Sequence, residues 1–361
     1  MTSLPFIPQK ISFEIHKTKR SRINEIDFNN LPFGRFFSDH MFEMDYQNGQ
    51  WKRGVVKAYG KLELSPATAA LHYGQAIFEG IKANRNQNTG EILVFRPYDN
   101  ARRFNLSAHR MDMPEIDEEI FVEAIKELIK LDHQWVPTTE NSSLYIRPVM
   151  FSTDDCVGVR TSENYKFLIM TSPVGPYYSK PIKVVVADKY VRAADGGTGE
   201  AKAAGNYGGA MYPTSLAKKR GYDQVLWTDS REHRYLEEIG TMNVFFVIGD
   251  EVVTPSLDGT ILRGITRDSI IHLLSEKGVT VTERRISIDD LIDAQQKGIL
   301  FDAFGAGTAA TITPIEEIAY KDTLLTIPLG ENRKHSIWVK SELEAIKRGI
   351  KPDVHNWLVK I

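Results

Sequence analysis

The chain has one cysteine, Cys156, among 361 residues. An intramolecular disulfide framework and a cysteine-built metal finger are therefore excluded. Charge of either sign is not in excess: 45 Lys and Arg stand against 47 Asp and Glu, a formal net charge of −2. That leaves no general electrostatic grip on nucleic acid. Long apolar runs are missing too. The longest, Val244 to Ile248, is far short of a membrane span, so no membrane partner is expected. The opening MTSLPFIPQKISFEI carries two prolines and no apolar run of signal-peptide length, so a cytoplasmic chain is expected. The nine histidines include no pair at the i, i+3 to i+5 spacing of a helical metal site, so no metal is expected.

Hydrophobic residues make up 42% and charged residues 25%, as in ordinary folded chains. At ~150 residues per domain the length argues for two domains. Strand and helix patterns alternate without repeats. ILVFR at 92–96 and Leu144 to Phe151 read as strands, as do 167–170, 182–187, 223–228 and 244–248. Residues 99–109, 117–131, 266–277, 289–297 and 333–348 read as helices. In 117–131, acids open the helix and lysines follow, which suits its dipole. TSPVGPYYSKP at 171–181 holds three prolines and a glycine and reads as a linker. The resulting expectation is an α/β (α+β) chain in two parts. Residues 1–174 form the N-terminal domain, 175–186 the linker and 187–361 the C-terminal domain.

The most unusual stretch is DGGTGEAKAAGNYGGA at 195–210, where Lys202 sits among small residues. Small neighbours let a ligand approach and leave an amine reachable, which suits Schiff-base chemistry; a flexible loop with a solvated lysine is the other reading. GAGTAA at 305–310 fits the glycine pattern of a dinucleotide-binding turn. Against that reading, the following TITPIEE is β-branched and contains Pro314, where a long helix should run.

An anion has better sites elsewhere. Gly264, Ile265 and Thr266 open a helix, Thr308 offers an amide and a hydroxyl, and Arg96 ends a strand. Each also reads as a cap, a turn residue or a surface ion pair. Tyr145 and Arg147 share one face of their strand, as either a carboxylate-binding pair or a solvent face. Glu238, just before the apolar VFFVI, is either a capping acid or a charge held for a cation.

Taken in order, YGQAIFEGIKA (73–83), FRPYDN (95–100), LYIRPV (144–149), K-x-x-GNY (202–207), E-x-GT-x-N (238–243), LRGITR (262–267) and GAGTAA (305–310) resemble the branched-chain amino acid aminotransferases. These are pyridoxal-phosphate (PLP) enzymes of fold type IV, and the likeness runs from about Leu31 to the C-terminus. It implies a two-domain fold with a smaller N-terminal and a larger C-terminal domain, the latter carrying the cofactor lysine. By the resemblance, Lys202 is the Schiff-base lysine and proton shuttle, Glu238 faces the pyridine nitrogen, and Tyr207 bonds the phenolic oxygen. Arg96, Ile265, Thr266 and Thr308 resemble the phosphate cradle. Phe33, Tyr73, Phe78, Tyr145, Arg147, Thr241 and Ala309 resemble the substrate pocket.

The implied reaction passes the amino group of L-leucine, L-isoleucine or L-valine to 2-oxoglutarate, reversibly and with ping-pong kinetics. The implied assembly is a homodimer in which part of the partner closes the pocket. Some animal members carry a Cys-x-x-Cys pair after the glycine turn. Ala310 and Thr313 stand there, so no thiol switch is expected, and with no targeting extension a bacterial cytoplasmic enzyme is. The alternatives are a D-amino acid aminotransferase or an aminodeoxychorismate lyase of the same fold type, or a non-catalytic protein on this scaffold. Retention of both Lys202 and Glu238 argues against the last.

Overall fold

Strands with one apolar face need a second layer to bury it, and this chain supplies that layer twice, around two separate sheets. The computed structural model describes residues 11–361, so the reading of residues 1–10 lies outside the described residues. Seven α-helices are described: α1 (Ala69–Tyr73), α2 (Pro97–Arg110), α3 (Glu118–Leu131), α4 (Ala204–Lys219), α5 (Ile265–Glu276), α6 (Ile288–Gln296) and α7 (Lys334–Lys347).

The first sheet has ten strands and is almost wholly antiparallel. At its centre, Ser143–Ser152 pairs along its length with Tyr165–Val174, setting Tyr145 opposite Ser172 and Arg147 opposite Met170. Its apolar face, with Phe42, Ile146 and Phe167, packs on Phe104 of α2 and Phe121, Ile125 and Leu128 of α3. The α3 helix starts where it does because the Asp117 side chain accepts from the amides of Glu119 and Ile120.

The second sheet runs Leu236–Ile239, Gln224–Thr228, Ile182–Val186, Thr311–Tyr320, Leu300–Gly307, Met242–Ile248, then Glu251–Thr254 and Thr280–Glu283. Leu236–Ile239 also pairs with Met242–Ile248, in register Glu238 to Asn243 and Ile239 to Met242. The first six of these strands therefore close a barrel, in which Leu236–Ile239 is paired on both sides. Val184, Leu226, Ile239, Val244, Phe246 and Ile318 join Leu291 of α6 in one core. The alternate residues Val185, Val225 and Trp227 face Ala210 and Ala217 of α4. Phe245 and Phe304 stack 5.0 Å apart beneath α5 and α7.

Three expectations need correction. Residues 182–186, read as a strand but counted within the linker, form a central barrel strand, because a Val-rich strand is worth more buried between neighbours than extended in solvent. The C-terminal domain does not keep all of 187–361: Leu358–Lys360 returns to the first sheet and pairs with Ile92–Phe95, covering an open edge. The reading of 195–210 as a flexible loop, one of the two left open, fails from Ala204 onward, where α4 begins and continues through Pro213. Packing of its alanines on the barrel overrides the weak local propensity. GAGTAA lies at a hairpin between antiparallel strands, so no helix follows it and the dinucleotide reading falls.

Phe246→Ala, in the barrel core, is expected to cost about 3–5 kcal/mol, read as a lower urea midpoint. Leu324→Ser, half-exposed on a short outer strand, should change stability by less than about 0.5 kcal/mol.

Candidate active site

A cavity of about 510 Å³ lies where the two bodies meet. From the first sheet it is lined by Phe33, Phe78, Gly80, Arg103, Tyr145 and Arg147; from the barrel side by Lys202, Tyr207, Glu238, Thr241, the start of α5 and the turn at 306–310. The Phe-Glu-Gly segment at 78–80 supplies three separate functions. The Phe78 ring faces the cavity, 4.8 Å from the ring of Tyr207. The fully buried Glu79 takes a two-pronged grip from Arg103, at 2.7 and 2.8 Å. Gly80 has no room for a side chain, since a Cβ there would meet the Tyr145 hydroxyl at 2.3 Å.

Lys202 sits just before α4. Its amide donates to Ser107 Oγ at 2.9 Å, its carbonyl accepts from the amide of Phe78 at 3.1 Å, and the adjoining Ala203 bridges to Ile77. The backbone is thus pinned on both sides while the side chain reaches inward, its Nζ donating to Tyr207 Oη at 3.0 Å. Glu238, on the strand that closes the barrel, points into the same cavity. One of its oxygens accepts from Asn243 Nδ2 at 3.0 Å and the other lies 2.6 Å from Arg192 Nη2. Burial pushes its carboxyl above the ordinary value, and the charges of Arg192 and Lys202 oppose that.

The α5 helix begins at Gly264 with no side chain capping its first turn, which leaves amide donors and the positive dipole end for an anion. Only glycine fits there: a Cβ would lie 1.9 Å from Asn243 Oδ1. The hairpin turn carrying Thr308 and Ala309 is held from behind by Lys82 Nζ, which donates to the Ala309 carbonyl at 3.0 Å. Burial, with Lys347 and Arg348 nearby, lowers the Lys82 ammonium to about 8.

Of the residues expected at the site, Lys202, Tyr207, Glu238, Ile265, Thr266, Thr308, Phe33, Phe78, Tyr145, Arg147, Thr241 and Ala309 come together around this cavity. Arg96 and Tyr73 do not. Arg96 caps α2 in a left-handed conformation and spends its guanidinium on Asp99, Asp268 and Ser269. Two turns further along α2, Arg103 reaches the cavity instead. It was missed because its setting depends on Glu79 and on the Arg263 carbonyl, which no local pattern announces. Arg192, Asn243 and Tyr177 were missed as well. Tyr73 ends α1, 41% exposed.

PLP presents four polar edges: a phosphate, an aldehyde, a ring nitrogen and a phenolic oxygen. The cavity offers the α5 amides with Thr308 and Arg103 to the first, the Lys202 amine to the second, the Glu238 carboxylate to the third and Tyr207 to the fourth. Residues and group fit on all four edges, and that fit is what a PLP-dependent enzyme requires. The Amino-transferase class IV family model matches residues 76–318. A probable branched-chain-amino-acid aminotransferase of Staphylococcus epidermidis is 45% identical over 98% of this chain and 99% of its own. Branched-chain-amino-acid aminotransferase 2 of Bacillus subtilis is 43% identical over 98% and 97%. The solved branched-chain amino acid aminotransferase of Escherichia coli superposes with a TM-score of 0.71 at 26% identity, covering 89% of this chain and 98% of that one. The chain belongs to the class IV aminotransferases and, within them, to the branched-chain-amino-acid aminotransferase family; its cofactor is pyridoxal 5'-phosphate.

Glu237, next to Glu238, faces the other side of its strand. It accepts from Thr260, and burial with the charges of Glu238 and Asp258 raises its carboxyl to about 7. A raised carboxyl favours the fold while neutral, and that stability is lost as pH climbs from the unfolded value of 4.5 through about 7. Glu237→Gln should therefore raise Tm relative to the parent at about pH 8 and little at about pH 5. Equal shifts at both pH values would contradict this.

Proposed function

We propose that the enzyme moves the amino group of L-leucine, L-isoleucine or L-valine reversibly to 2-oxoglutarate, in two half-reactions with ping-pong kinetics. The observation that carries this is the convergence of Lys202, Tyr207 and Glu238 on one cavity that also holds an aromatic and aliphatic wall (Phe33, Phe78, Tyr145, Val149, Met242) beside Arg147. PLP, when bound, supplies the electron sink and holds the amino group between half-reactions.

The chain's residues do the rest. The Lys202 amine takes the proton from the amino acid's Cα and returns it on the far side of the transfer, with Tyr207 Oη orienting that amine. Glu238 would hold a proton at the cofactor's ring nitrogen, and Arg192 fixes the carboxylate. Arg103, the α5 amides, Thr266 and Thr308 hold the phosphate. Phe33, Phe78, Tyr145, Val149 and Met242 exclude water around a branched aliphatic side chain. Arg147, whose Nε is buried without a partner and whose Nη2 donates to the Tyr145 hydroxyl at 2.9 Å, receives the side-chain carboxylate of glutamate in the return half-reaction.

Tyr73 takes its expected place in the pocket through a second copy. Leu71, Tyr73, Val157 and Val159 are all exposed and neighbouring, since Thr68 bridges Asp155 and the Cys156 amide donates to the Ala67 carbonyl. A homodimer buries that patch and offers Tyr73 to the partner. Among the described residues no helix is long and apolar enough to cross a membrane, and the proposed setting is the cytoplasm.

Lys202→Ala should abolish transamination, a loss of at least ~10²-fold, and remove the visible band that L-leucine otherwise bleaches. Turnover retained by that variant would remove Lys202 from its role. Glu238→Gln should keep the cofactor but slow turnover by roughly a hundredfold, measured under single-turnover conditions. Arg103→Lys should lose PLP on dialysis much faster than Arg96→Ala; the reverse order would return the phosphate to Arg96.

A further inference from the structure

The end of α5 opposite the phosphate cradle carries a second set of ligating atoms. His272 and Glu276 lie one turn apart on the last stretch of that helix, and His355 comes from the segment leading back to the first sheet. His272 Nε2 is 3.3 Å from Glu276 Oε1, His355 Nε2 is 3.5 Å from Glu276 Oε2, and the three ligating groups lie within 4.8 Å of one another. A metal about 2.1 Å from each ligand of a tetrahedron sets neighbouring ligands about 3.4 Å apart. The two histidine–Glu276 spacings each match such an edge, one at each carboxylate oxygen, and side-chain rotation within the 4.8 Å group closes the set on one ion.

The set is also held in place. The His355 ring lies against Trp357, tilted by 31° with centroids 4.2 Å apart, and both carboxylate oxygens of Asp353 tie the turn, accepting from the amides of Trp357 and Leu358 at 3.0 and 2.7 Å. His272 meets the His355 ring edge-on at 4.8 Å. The negative end of the helix dipole points at the group, which favours a cation. Of the nearby lysines, Lys277 lies over the Trp338 ring at 3.9 Å and Lys351 pairs with Glu342 at 2.6 Å. A cation there therefore competes with neither ammonium for Glu276.

We infer that His272, Glu276 and His355 form a site for a divalent transition-metal ion of the Zn²⁺ type, with two imidazoles and one carboxylate from the protein and the remaining position open to solvent. The ion clamps the C-terminal end of α5, which packs on the barrel, to the chain segment that enters the first sheet. It thus ties the two bodies together at a point remote from the reacting atoms. The site is separate from the aminotransferase chemistry and does not depend on which substrates the enzyme takes.

The test uses chelator-stripped holoenzyme titrated with Zn²⁺ by calorimetry, with Co²⁺ difference absorption reporting tetrahedral coordination. The expected result is one ion per chain, with affinity reduced more than about tenfold in His272→Ala, Glu276→Gln and His355→Ala and unchanged in His335→Ala. Zn²⁺ should raise Tm in the parent and not in His272→Ala. Because His272 and Glu276 are exposed, their variants keep the fold, confirmed by an unaltered cofactor spectrum. Binding that survives His272→Ala and Glu276→Gln, no binding by the parent, or a Co²⁺ spectrum of octahedral type would overturn the inference.

Discussion

The closure of the barrel through Glu238 and Asn243 is the constraint on which the site depends. These two residues are partners in the ladder that joins the last strands, and the same two side chains are hydrogen-bonded. Asn243 also donates to the Leu262 carbonyl and leaves no space for anything but glycine at 264. One ladder pair therefore fixes both the carboxylate and the start of α5, so proton and phosphate chemistry share a single rigid reference. A buried carboxylate is costly unless compensated. Arg192 provides the compensation at 2.6 Å, and Lys202 adds to it.

The first sheet contributes in the same manner. Glu79 and Arg103 are both buried, so neither is tolerable without the other, and breaking such a pair costs about 3–5 kcal/mol. Their pairing turns the Arg103 side chain toward the cavity and sets Phe78 and Gly80 on either side. Chemistry is thus divided: the barrel supplies carboxylate, amine and anion cradle, while the first sheet supplies the apolar wall, Arg103 and Arg147. A cavity at such a seam is pre-formed because each wall is anchored in its own core.

Much of the secondary structure was readable beforehand because periodicity is local. The helices at 99–109, 117–131, 266–277, 289–297 and 333–348 appear within a residue or two of their expected bounds, since each carries its own cap or apolar stripe. The α4 helix was not readable. Its glycine-rich start and Pro213 argue against a helix locally, and only contact with Trp227 and Val225 of the barrel outweighs them. Residues 182–186 were read as a strand but counted with the linker, because the domain a strand beside a proline-rich segment belongs to shows only once its neighbours on both sides are known.

The sequence by itself determined the chemistry on offer: a lysine among small residues, a carboxylate before a buried strand, an uncapped helix start, and the order of motifs that marks the family. The first three are properties of a few adjacent residues, and the last needs only their order along the chain. Which arginine reaches the cavity was decided only by the tertiary structure. Arg96 and Arg103 sit on the same element, and the choice rests on Glu79, 24 residues away in sequence from Arg103. The same holds for the cluster of His272, Glu276 and His355, because ligating geometry between distant segments comes into being only when the sheets and the barrel have packed.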